Sequence, residues 1–380
     1  MMKKIIHILT LAILPFLGAG CATSHYGDAP TITLQANEKS ITDTAFLYAP
    51  RTIRLETNNE TLIARINKVI EWAHTLYVLD RRGKQIIAFD ADGRHKYTIH
   101  RVGSGQGEYS AIIDASIDKK RNELVLLADP SSLLRFDSEG RFIGKQELPA
   151  YYNSVSIDGD YIYLGNATYA NNRPTKYSIT ILHDERSTEI LEPLKELAPY
   201  CTTEGRLLGG SSPTLFTRKF DPTIYKITKE EITPLYRIDF SKETFPEDAK
   251  DKVYDCRELN RYTIRNRLVY LMTDVVDAKK NLLFKTNLPG GTYILSKADS
   301  TLSEYNVVYN SQYKFPLPKY TSVTGEDDAV CFIVPSSSLI NLKVLSDKHP
   351  TANAISQELI EFVGNIEEDD NPVLFLYKLK

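Results

Sequence analysis

The chain has 380 residues, a formal net charge of −3, 42% hydrophobic and 25% charged residues. That balance excludes a disordered or membrane-spanning protein, and the slight acidity argues against a nucleic-acid partner. The length exceeds one compact core, and 23 Tyr against 3 Met and 1 Trp suit half-exposed β-strands better than a helical bundle.

The first twenty residues read as an address. Lys3 and Lys4 precede an apolar run from Ile5 to Leu17 that is too short to span a bilayer. The run stops at "GAGC", so residues 1–20 are expected to be a lipoprotein signal peptide and Cys21 the lipidated residue. Leu17 stands one place upstream of the usual lipobox leucine, and ordinary signal-peptidase cleavage is the alternative. The expected partner is a membrane, reached through the anchor. The segment "ATSHYGD" carries only Asp28, which favours the periplasmic face of an outer membrane over the cell surface. Residues 21–45 are polar and small and read as a flexible tether whose loss would leave the fold intact. Residues 46–380 then form the folded domain.

Beyond the tether the sequence repeats. "LYVLDRRGKQIIAFDADGRHKYTI" (76–99) returns as "ELVLLADPSSLLRFDSEGRFIGKQ" (123–146), with Phe89-Asp90 matching Phe136-Asp137 and Gly93-Arg94 matching Gly140-Arg141. The turns "DADG" and "DSEG" join antiparallel strands. A period of about 40–50 residues with four strands per unit marks a β-propeller blade. Four further, blurred copies can be threaded after these. The last lacks a fourth strand, while "PRTIRLET" (50–57) has none to pair with. The expected fold is therefore all-β: a six-bladed β-propeller closed by an N-terminal strand. Two short helical insertions interrupt it, at 245–266, with Pro246, Glu247 and Asp248 in the first turn, and at 351–364.

"RVGSGQGEY" (101–109) packs Gly103, Gly105 and Gly107 together. A dinucleotide loop needs G-x-G-x-x-G before a helix, whereas here G-x-G-x-G precedes the alternating "SAIIDASID". The glycines read as a crossing from one blade to the next, with Glu108 accepting backbone N–H groups and Tyr109 packed beneath. Cys201, Cys256 and Cys331 read as small buried hydrophobes, with a Cys201–Cys256 bridge as the alternative.

The stretch from "RLETNNETL" to "SAIIDASID" resembles the lipid-anchored six-bladed β-propellers, related to NHL-repeat propellers, found in gut anaerobes. The resemblance rests on Leu55-Glu56-Thr57, on Phe89 to Gly93, on Arg101 to Tyr109 and on the ending "DDNPVLFLYKLK". It covers residues 50–165 and 366–380 well and is weaker between. Gln106 stands where the family usually has proline. The resemblance implies the fold and the envelope address, and no general catalytic role.

No nucleophile, cofactor or metal motif occurs, so catalytic residues, cofactors and metal ligands are all expected to be none. An enzyme alternative, a lyase or hydrolase, would have to use the inner-strand acids Glu71, Asp114, Asp118 and Asp274. The favoured reading is a non-catalytic rim that binds a polar ligand (glycan or peptide) or an envelope protein partner; a pure scaffold is the other alternative. Loops after second and fourth strands share one rim of a propeller. They carry the candidates Arg81, Arg82, Tyr152, Tyr169, Asn172, Arg173, Arg218, Arg257 and Tyr262, which suit stacking and directional hydrogen bonds. The only tryptophan, Trp72, reads as core packing.

Overall fold

The computed structural model describes residues 29–166, 169–170, 173–174, 177–191, 208–209, 213–251, 255–326, 328–348 and 355–380. The sequence repeat appears as two equivalent turns. Asp90 Oδ1 accepts the N–H groups of Asp92 and Arg94 at 2.9 Å each, and Asp137 Oδ1 does the same for Glu139 and Arg141. A short carboxylate is the side chain that can reach two amides of its own turn. Gly93 and Gly140 follow at φ +87 and +78, where a side chain would be strained.

Around these turns the described strands pair into sheets of ten, eight, four, four and two strands, along which antiparallel units can be followed in chain order. The first comprises Lys68–Trp72, Thr75–Asp80, Gln85–Asp90 and His95–Ile99. The second comprises Ala111–Asp118, Glu123–Asp129, Ser132–Phe136 and Phe142–Glu147. The third comprises Tyr152–Asp158, Tyr161–Asn166, Ile179–His183 and Arg186–Ile190. The fourth comprises Leu208–Gly209, Thr214–Arg218, Asp221–Thr228 and Glu231–Asp239, and the fifth Met272–Asp277, Asn281–Thr286, Thr292–Ser296 and Thr301–Asn310. The last comprises Tyr320–Thr324, Ala329–Val334 and Val373–Lys378, and its fourth strand is β2 (Arg51–Arg54), antiparallel to Val373–Lys378. Leading strands of consecutive units touch in turn, and Val323 and Thr324 of the last unit pair in parallel with Val69 and Ile70 of the first. The core lies between neighbouring units: Tyr77 and Ile86 of the first, for example, bury against Ile112 and Phe136 of the second. Among the described residues the architecture is propeller-like and all-β apart from three α-helices.

The N-terminal segment departs from the expected tether. β1 (Thr31–Thr42) is a twelve-residue strand parallel to both Glu231–Asp239 and Thr301–Asn310, so it joins the outer edges of the fourth and fifth units. Its sequence looks unstructured because only Ile32 is buried; its backbone, paired over Thr31–Thr33 with the fourth unit and from Leu34 onward with the fifth, holds it in place.

The glycine stretch is the expected crossing. Gly105 N donates to Glu108 Oε2 at 2.8 Å, and the fully buried Tyr109 donates its hydroxyl to Lys84 O at 3.0 Å. Gly107, at φ +77, lies so close to the Phe142 ring that a Cβ would approach it to 2.7 Å. The helices are corrected in detail. Within 245–266 the α-helix is α1 (Cys256–Asn266), started by a capping box between Asp255 and Glu258, after a 3-10 turn at Glu247–Asp251. Within 351–364 it is α3 (Gln357–Val363), and α2 (Ser336–Lys348) was not foreseen. Cys256 is disulfide-bonded, which corrects its reading as a small buried hydrophobe, and Cys331 is a buried thiol. Cys21 and Cys201 lie outside the described residues.

A candidate binding cavity on the rim

The acids of the enzyme alternative are all engaged structurally. Glu71 takes Arg51 at 2.5 Å. Asp114 takes the buried Lys68 at 2.8 Å, and its other oxygen accepts Val155 N, 2.9 Å away on the next unit. Asp274 repeats this device between the fifth and last units, facing Lys285 Nζ at 3.0 Å and accepting from Ser322 N. Asp118 is bound by Arg121 at 2.9 Å and Arg135 at 3.0 Å. Burial alone would raise Asp118, but these hydrogen bonds outweigh it and hold its carboxyl below the usual carboxylate range.

A folded-state value below the unfolded one adds stability that is present above the unfolded pKa and lost as pH falls through the folded one. Asp118→Asn should therefore cost about 3 kcal/mol at pH 7. Its gap from wild type should shrink steadily below about pH 4. Urea midpoints measured across that range check this; a gap independent of pH would contradict it.

The rim candidates are only partly brought together. Arg81 and Arg82 are exposed at the hairpin after Asp80. Tyr152 is not on the rim surface: it opens a strand, is 7% exposed and packs among Leu127, Val155 and Leu164, so it is a core residue. Asn172 and the side chains of Tyr169 and Arg173 lie outside the described residues. Arg257 is exposed on α1, and Tyr262, one turn further, packs edge-on against Phe245 with ring centres 6.1 Å apart. Arg218 comes close to this group. Phe245 also meets Phe220 at 5.2 Å, and Phe220 stacks on Tyr270 at 5.2 Å.

Phe220, Phe245 and Tyr270 wall a cavity of about 510 Å³ between the fourth and fifth units, a volume typical of small-molecule sites. The hairpin Arg218–Asp221 forms one side. There Arg218 Nε donates to Asp221 Oδ2 at 2.7 Å and its guanidinium lies 5.8 Å from the Tyr225 ring centre. Tyr225 donates its hydroxyl to the same carboxylate at 2.7 Å, and Thr223 N donates to Asp221 Oδ1 at 3.0 Å. Burial first, and then the Asp221 charge, pushes the Tyr225 hydroxyl well above its ordinary value, so it stays a donor at every physiological pH. Ala29 and Thr31 complete the wall, so the chain enters β1 beside the cavity. The reading of loops missed Arg237, a wall residue placed by the strand Glu231–Asp239. Its signal was an arginine alternating with Tyr236 and Ile238 near a strand end.

The sequence profile of a domain of unknown function (DUF4934) matches residues 30–378. The chain belongs to the DUF4934 family. No curated protein matches it. Among solved structures, this DUF4934 chain is similar to a Bacteroides fragilis protein described as exported, at 16% identity and a TM-score of 0.74, over 92% of this chain and 99% of that one. A Bacteroides vulgatus member of the DUF4221 family follows at 14% identity and a TM-score of 0.49, over 88% and 98%. BamB from Moraxella catarrhalis is 14% identical with a TM-score of 0.36, over 75% and 69%. The first likeness extends to the fold. Among the described residues of the DUF4934 chain no helix is long and apolar enough to cross a membrane.

Proposed function

We propose that the chain is a six-bladed propeller closed by β2, anchored to the outer membrane through lipid on Cys21, and that it binds a polar ligand without turning it over. The cyclic order of contacts between leading strands supports the closed ring. The observation that carries the binding reading is the cavity, where aromatic faces, hydroxyls and guanidinium groups converge at one rim. Arg218 stands in its wall, and Tyr262 packs on Phe245 of that wall; the exposed Arg81, Arg82 and Arg257 are further candidate contacts. The engaged inner-strand acids favour binding over the enzyme alternative. Residues between Cys21 and Ala29, extended at about 3.5 Å each, reach at most about 28 Å, which keeps the cavity close to the membrane.

One preparation tests both parts. Cys21→Ala should move the protein from the membrane to the soluble fraction, and the soluble protein is then screened on glycan and peptide arrays. Thr244 is exposed, extended (φ −65, ψ 132) and on the cavity wall, so Thr244→Trp should plug the cavity, abolish capture and leave the melting temperature unchanged. An unchanged membrane fraction sinks the anchor. A wild-type rim that captures nothing, or capture that survives Thr244→Trp, sinks the site.

A further inference from the structure

The cavity's charges are unevenly committed. Asp221, the acid at its side, is saturated: it takes Arg218, the Tyr225 hydroxyl and the Thr223 amide. Glu247, the other acid on the wall, has a partner of its own. Arg237 differs from both. Its backbone is clamped between two strands, paired with Thr31 of β1 on one side and Thr223 on the other, and its N–H donates to Pro30 O at 3.1 Å. Its side chain is exposed, lines the cavity and makes no hydrogen bond or ion pair among the described residues. A fixed backbone and an uncommitted planar fork are what two-point recognition of a carboxylate requires.

The rest of the wall narrows the ligand further. The rings of Phe245 and Tyr270 offer apolar faces, and Thr31, Thr223 and Thr244 offer side-chain hydroxyls. A ring with an apolar C–H face, several hydroxyls and one carboxylate meets all three features. An extended peptide fits less well, because it is commonly held along a strand edge. The part of the nearest such edge that reaches the cavity, Arg237–Asp239, is already paired with Thr31–Thr33 of β1.

Resting on the binding reading above, we propose that the cavity takes an acidic sugar, a pyranose bearing a carboxylate, and that Arg237 reads the carboxylate.

The test is calorimetric titration of the soluble Cys21→Ala protein with D-glucuronic acid and tri-galacturonic acid, alongside the neutral D-glucose and tri-galactose. The acids should bind at least tenfold more tightly than their neutral counterparts. Arg237→Ala should erase that preference, weakening the acids at least tenfold and leaving the neutral sugars as they were. Arg237→Lys, which keeps the charge and loses the fork, should fall between. Equal binding of acid and neutral sugars, or acid binding indifferent to Arg237→Ala, overturns the proposal. If the arrays instead return a neutral glycan or a peptide that Thr244→Trp excludes, the cavity stands and the acidic-sugar reading fails. If Thr244→Trp excludes nothing, both fail.

Discussion

Deleting residues 22–42 should lower the melting temperature and make the protein aggregate with concentration, whereas deleting 22–29 should do neither. The longer truncation removes β1 and uncovers two strand edges at once, Glu231–Asp239 and Thr301–Asn310. Their freed N–H and C=O groups become templates for pairing with other chains. The truncation also removes Ile32, whose burial is worth about 2 kcal/mol, and the Asn37 contact to the buried Glu243 at 3.2 Å. Glu243 shares Arg267 with Glu304, another buried carboxylate, so losing a neutral donor there leaves two acids on one cation. Scanning calorimetry and light scattering at several concentrations separate the outcomes. Two truncations that melt alike and stay monomeric would show that β1 contributes nothing.

Asp274→Asn should cost about 3 kcal/mol, whereas Asp160→Asn should leave the denaturation midpoint nearly unchanged. Asp274 sits at φ +52 in a bulge of the fifth unit's leading strand, a conformation that asparagine tolerates as well as aspartate. The substitution therefore keeps the backbone and an acceptor for Ser322, and removes only the charge facing Lys285. Lys285 is 14% exposed, donates to Tyr320 O at 2.8 Å and lies 5.4 Å from the Tyr320 ring centre. Without Asp274 its ammonium is buried against rings and carbonyls alone. Asp160 and Lys120, by contrast, meet at 2.7 Å in open solvent, where water replaces either partner cheaply. Chemical denaturation midpoints decide between them, and equal losses would mean that the bridge between the fifth and last units is not a stabilising contact.

Much of the framework was legible because its signals are local. The Asp-x-x-Gly turns at 90–93 and 137–140 carry their own hydrogen bonds, so the same four residues make the same turn wherever they occur. The strand 51–54 was legible for a different reason: it was left over where the last unit lacked one. β1 was not, since hydrophobic alternation reports side chains entering a core, and those of β1 mostly meet water on both faces. α2 escaped because Leu339, Ile340, Leu342, Val344 and Leu345 crowd together without forming one apolar stripe. In the site, a search of loops found the Arg218 hairpin and the Tyr262 helix. It placed Tyr152 within a loop at 149–154, whereas the buried strand already starts at Tyr152. Arg237 was missed because its place on the wall depends on how two strands distant in sequence pair.

The placement of β1 and β2 also sets the order in which this chain can be finished. Both strands pair far along the chain: Thr33 meets Asp239 across 206 residues, and Arg54 meets Asp370 across 316. Each must wait, unpaired, until its distant partner has been made: Arg237–Asp239 and then Leu302–Tyr309 for β1, Val373–Leu376 for β2. Loop-closure entropy makes such late fastening slow, and the interval leaves two seams open to other chains.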